Sequence, residues 1–126
     1  MPTVEYTQAK GLFQATGSGL LLHKEIGTAV TAAGSSNADA AAITLDGQVI
    51  PLTAGDGTKG VILPAGTVGQ SVVLVNTASG ICKLYPAATE KINNLTVTSG
   101  SHSIPANQSV MVVYVSSGYG WAVIGD

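Results

Sequence analysis

The sequence predicts an all-β fold, a small antiparallel β-sandwich or jelly-roll-like barrel preceded by an extended N-terminal arm. Three observations carry that prediction. Short β-branched runs alternate with Gly, Pro, Asn and Ser punctuation along most of the chain, the pattern of a sandwich or barrel. Helical periodicity is nearly absent; only "SSNADAAAITL" offers a short capped turn, with Ser36 or Asn37 as the cap. Finally, one stretch occurs twice. Gln70, Ser71, Val72, Val75, Ser79 and Gly80 recur as Gln108, Ser109, Val110, Val113, Ser117 and Gly118. Each copy reads as an apolar-Pro-Ala bend, a strand, a Ser-Gly turn and a return strand, so two equivalent β-hairpins are expected.

The strands follow from the punctuation. "AITL" runs into Asp46-Gly47, the strongest two-residue hairpin signal, and "QVIPLT" follows it. "KGVILP" ends at Pro64, which has no N–H for a ladder. "QSVVLVNT" and "ICKLYP" flank Ala78-Ser79-Gly80, "KINNLTVT" runs to Ser99-Gly100, and "SHSIP" leads into "NQSVMVVYV". The last strand lies in "YGWAVIGD". Residues 1–42 differ from the rest: glycine- and alanine-rich, with apolar anchors at Leu12-Phe13 and Leu20-Leu21-Leu22 around a Gly-Ser-Gly hinge. They are read as an arm and linker, and residues 43–126 as the β-domain.

Composition points to association. The hydrophobic share is 45% and the charged share 10%, against roughly 25% charged in an ordinary soluble domain. Such a surface is short of the charges that keep a lone domain dispersed. Within "VMVVYV", residues 110–115, apolar residues fall on both faces, whereas a half-buried antiparallel strand alternates. Met111, Val113 and Val115 are therefore candidates for an oligomer interface, with cover from the chain's own loops as the alternative.

Chemistry is sparse. The five cations are all lysines, scattered at Lys10, Lys24, Lys59, Lys83 and Lys91, so no basic cluster for phosphate backbones forms. Cys82 is alone and supports neither a disulfide nor a thiolate metal site. His23 and His102 lack carboxylates at ligand spacing; His102 is read as a turn residue. "AGDGTKG" lacks the Walker spacing, and Asp39, Asp46 and Asp56 are too dispersed for a calcium loop. No apolar run reaches the roughly eighteen residues of a membrane helix, and no secretory leader is seen. No catalytic residue, cofactor or metal is expected. Tyr119 and Trp121, beside glycines in "GYGWAVIGD", are the one alternative ligand site, with a core-closing tryptophan the more ordinary reading.

One resemblance covers Ile43 to Ile124. Pro64-Ala65-Gly66, Val75-Asn76, Leu84-Tyr85-Pro86-Ala87, Ile92-Asn93 and the Trp121 strand stand in the order seen in small structural proteins of tailed bacteriophages. The chain resembles their head decoration, or cement, proteins. The resemblance implies a non-catalytic, commonly trimeric β-protein on the capsid exterior, made in the host bacterial cytoplasm. It would bind the major capsid protein lattice and brace the shell. Nucleic acid and membrane are not expected partners. The arm would dock through Val4, Tyr6, Leu12, Phe13, Leu20 and Leu22. The alternative is a fibre, receptor-binding or carbohydrate-binding module; the absence of a shaft repeat favours decoration.

Overall fold

The structure, a computed structural model, describes residues 4–7, 11–14, 24–95 and 101–125. The chain runs through β1 (Val4–Thr7), β2 (Gly11–Gln14), β3 (Val30–Thr31), β4 (Ala41–Ala42), β5 (Val49–Thr53) and β6 (Gly60–Ile62). It continues through β7 (Ser71–Asn76), β8 (Cys82–Tyr85), β9 (His102–Ile104), β10 (Ser109–Ser116) and β11 (Gly120–Ile124). All elements are strands, and the described residues hold no helix. The protein is all-β. The short helix allowed in "SSNADAAAITL" is replaced by a turn, because the Asp39 carboxylate takes the Ser35 and Ser36 N–H groups at 3.0 and 2.9 Å.

Among the described residues β1 and β2 pair with each other and with no other strand, setting Tyr6 opposite Leu12 and Glu5 opposite Phe13. The remaining strands form two mixed sheets, one ordered β11-β10-β7-β5-β3 and the other β4-β6-β8-β9. Neither closes into a barrel. The expectation of antiparallel pairing throughout is corrected. From β3 to β8 each strand leaves one sheet and the next enters the other. β3, β5 and β7 therefore stack in parallel, as do β4, β6 and β8. Antiparallel pairing returns where β9 lies on β8, β10 on β7 and β11 on β10.

Two expected hairpins are thus crossings between sheets. At Asp46-Gly47, the carboxylate is spent on the previous pass, accepting from Thr28 N–H at 3.0 Å and from Thr28 Oγ1 at 2.6 Å. A β-carbon on Gly47 would run into the Gly27 backbone, so glycine here permits close approach of two passes rather than a hairpin turn. The first copy of the repeat is the second case: β7 and β8 lie in different sheets, whereas β10 and β11 are a true hairpin. The copies are nonetheless neighbours, because β7 and β10 pair antiparallel, with Val73 opposite Met111.

Side chains alternate between buried and more exposed along β5, β7 and β10. Ile50, Leu52, Val72, Leu74, Val110 and Val112 from the five-stranded sheet meet Val61, Cys82, Leu84 and Ile104 from the other in one buried cluster. Residues 24–42, read as linker, supply β3 and β4 to the two sheets. Glu25 is already tied in: its carbonyl accepts from Gln48 N–H at 2.8 Å, and Gly27 N–H donates to the Val49 carbonyl at 2.8 Å.

Three crossings are held by carboxylates. Hydrogen bonds from Thr58 N–H and Oγ1 and from Lys59 N–H bring Asp56 down to about 2 from 3.8. Asp39, held chiefly by Ser35 N–H, and Asp46, held chiefly by the Thr28 hydroxyl, are also lowered. A lowered folded pKa means that the stabilisation is complete above the unfolded value and is lost as pH falls through the folded one. The contribution of these turns to the thermal midpoint is therefore expected to be present above pH 3.8 and to fall as pH drops from there toward about 2. Asp56→Asn, which keeps the acceptor without the titration, should make that drop shallower. An identical acid profile for the variant and wild type would rule the Asp56 turn out as a contributor.

Candidate functional site

The period-two geometry of β10 points Val110, Val112 and Tyr114 inward and leaves Met111, Val113 and Val115 on the outer face. Met111 is 38% and Val115 48% exposed, while Val113 is half-buried. Neighbouring strands extend the face. Met111 stands opposite Ile124 of β11 on one side and Val73 of β7 on the other, and Val73 in turn stands opposite Val49 of β5. Val49, Val73, Met111 and Ile124 make one apolar row across four strands. A second row sets Pro51 beside Val75. The sequence reading reached the β10 members only; the alternation in "VIPLT", "SVVLVN" and "GWAVI" was the available signal for the others.

Of the predicted arm, Val4, Tyr6, Leu12 and Phe13 fall on the β1–β2 pair, which among the described residues forms a two-stranded sheet of its own. Leu20 and Leu22 lie outside the described residues, as does His23.

The alternative ligand site separates into two unlike residues. Trp121 is fully buried and its ring meets Tyr114 edge-on at 5.3 Å and 71°, so its faces are closed to a ligand. Tyr119, at the β10–β11 turn, stays 40% exposed. The loop at 63–70 packs over this corner: a β-carbon on Gly66 would collide with the Tyr114 ring, and Glu90 Oε1 accepts from Gly66 N–H at 2.9 Å. Residues 91–93 close the edge of β11. Trp121 N–H donates to the Lys91 carbonyl at 2.9 Å, Asn93 N–H to the Trp121 carbonyl at 2.8 Å, and Val123 N–H to Asn93 Oδ1 at 3.0 Å.

His102 sits half-buried on β9 rather than in a turn. Cys82 is fully buried, and burial pushes its thiol up to about 11, which keeps it from being a thiolate near neutrality. Asp39, Asp46 and Asp56 each fold back on a separate loop. Among the described residues, no three of His, Cys, Asp and Glu come together in a metal-holding group. Comparison of the chain with known protein families and with curated proteins finds no match.

Proposed function

We propose that the protein is a non-catalytic virion structural protein that decorates a tailed-bacteriophage capsid, binding the major capsid protein lattice from outside. On this reading the two sheets form a compact sandwich, the protein assembles as a homotrimer, and it joins the shell after synthesis in the host cytoplasm. The observation that carries the reading is the exposed apolar side chains on the outer face of the five-stranded sheet, with Met111 at 38%, Val115 at 48% and Ile124 at 49% exposure. Contiguous apolar surface of that kind marks an interaction site. The motif order from Pro64 to Trp121 supports the phage assignment. The strand pair carrying Val4, Tyr6, Leu12 and Phe13 joins neither large sheet among the described residues and suits docking on a preformed shell. A glycan-binding reading would rest on Tyr119, since Trp121 is closed.

The test is co-sedimentation with expanded phage capsids that lack a decoration protein. Removing residues 1–23 spares Glu25 and its bonds to the sheet, so the truncated protein should stay folded, keep its solution mass and lose capsid binding. Undiminished capsid binding by the truncated protein, or none by the full chain, would reject the corresponding part of the proposal.

A further inference from the structure

We infer that Asp46-Gly47 is a site of spontaneous isoaspartate formation in the folded protein, whereas Asp56-Gly57, the same dipeptide one crossing later, is shielded from it. The site is independent of the virion reading. The Gly47 nitrogen bonds to the Asp46 side-chain carboxyl carbon, the acid hydroxyl leaves with the amide proton as water, and a succinimide ring closes. Water then adds at the Asp46 main-chain carbonyl carbon and breaks its bond to the nitrogen. The chain now runs through the former side-chain carbon, and the old main-chain carbonyl is a carboxyl. One water leaves and one returns, with no oxidant or cofactor. Glycine favours the closure because no β-carbon shields its nitrogen.

Both restraints on Asp46-Gly47 come from one short segment. Thr28 grips the carboxylate through its N–H at 3.0 Å and its Oγ1 at 2.6 Å, and the Gly27 backbone packs directly on Gly47. The Gly47 N–H has no hydrogen-bond partner among the described residues. Backbone bonds from Glu25 and Gly27 tie this segment to residues 48 and 49, but little of it is buried: Ile26 is 62% exposed and Thr28 is exposed. Segments with so little buried surface are the first to open. Opening of residues 26–28 frees the acid and the nitrogen together. It also removes the bonds that hold the Asp46 pKa down, chiefly that of the Thr28 hydroxyl, and the neutral acid is the form that loses water.

Asp56-Gly57 is held from two independent sides. Asp56 Oδ1 accepts from Thr58 N–H at 2.9 Å, Thr58 Oγ1 at 2.8 Å and Lys59 N–H at 3.0 Å, all within its own turn. Gly57 N–H donates to the Ile81 carbonyl at 2.8 Å, in the crossing from β7 to β8. Fraying of the first pass touches neither restraint. The product at Asp46 does not restore its clamp. Isoaspartate adds one carbon to the main chain and carries its carboxyl directly on it, so Thr28 and Gly27 no longer meet their partners together. Formation at Asp46 is thus a one-way release of residues 25–28 from the sheet.

The experiment is an ageing series on the full chain at neutral pH and physiological temperature. Trypsin cuts after Lys24 and Lys59, so one peptide, residues 25–59, holds both pairs, and electron-transfer fragmentation reads isoaspartate at each. Isoaspartate at Asp46 should exceed that at Asp56 several-fold, whereas in urea the two pairs should age alike. Thr28→Val, which removes the hydroxyl and keeps the branched shape, should speed ageing at Asp46 several-fold and leave Asp56 as in wild type. Aged molecules should exchange the amides of residues 25–28 faster than fresh ones, with β7 unchanged. Equal isoaspartate at the two pairs in folded wild type, or none at Asp46, overturns the inference. So does a Thr28→Val protein that ages at the wild-type rate. Unchanged amide exchange in aged molecules would overturn the release of residues 25–28.

Discussion

Trp121→Ala is expected to cost about 3–5 kcal/mol of folding stability, the usual range for truncating a fully buried aromatic. The indole is 0% exposed, stacks edge-on with Tyr114, and sits where Ile92 bridges to β11. Its removal leaves a void in the buried cluster that the two sheets share. Trp121→Phe should cost far less, because the indole N–H has no hydrogen-bond partner among the described residues and so loses none. Guanidinium unfolding followed by circular dichroism checks both variants. A loss below about 1 kcal/mol for the alanine variant would contradict the burial argument. If binding vanished while stability held, the ligand-site reading of Trp121 would return.

Asn76→Leu is the second large effect. Asn76 is the one fully buried polar side chain among the described residues, at the point where the chain leaves β7 for the other sheet. Its amide nitrogen lies 2.9 Å from the Gly80 carbonyl, 3.0 Å from that of Ile104 and 3.0 Å from that of Pro105. Its Oδ1 accepts from Ala78 N–H at 3.1 Å. One side chain thus closes the crossing at 77–81 and ties it to the β9–β10 connection. Leucine has the same branching and number of side-chain heavy atoms but satisfies none of these groups. At about 1–3 kcal/mol for each buried group left unpaired, a total loss of roughly 3 kcal/mol or more is expected, given that part of the site reaches solvent. Asn76→Asp should also destabilise, since a carboxylate offers no donor to three carbonyls. Wild-type stability in either variant would show that the crossing is held by packing alone.

Strand positions were legible in the sequence because β-branched runs and glycine punctuation are local signals; β5 through β11 fall inside the runs that the punctuation marks. Connectivity was not. Asp46-Gly47 looks the same whether it turns a hairpin or clamps Thr28, and only the partner, 18 positions away, distinguishes them. The same is true of Asn76, whose contacts 28 and 29 positions on give it its role. The outer face was half legible. "VMVVYV" betrays itself by being apolar on both sides, but Val49, Val73 and Ile124 join it only through the register of four strands. The burial of Trp121 was the ordinary reading of an aromatic in a closing strand, and its edge-on contact with Tyr114 is consistent with that.

The antiparallel pairing of the two like segments has a consequence for folding. The ribosome delivers residues 71–76 well before residues 109–116, so β7 waits with one long edge empty. Its eventual partner is a near-copy of itself, with Ser71, Val72 and Val75 repeated as Ser109, Val110 and Val113. Any nascent chain whose β7 is waiting offers another a partner of almost the right chemistry, and such unpaired edges are where strands from different molecules join. In the finished fold both segments lie inside the sheet, between β5 and β11. The hazard is therefore confined to biosynthesis: crowded translation and slow arrival of the C-terminus favour entanglement between siblings, whereas a completed molecule is immune to it.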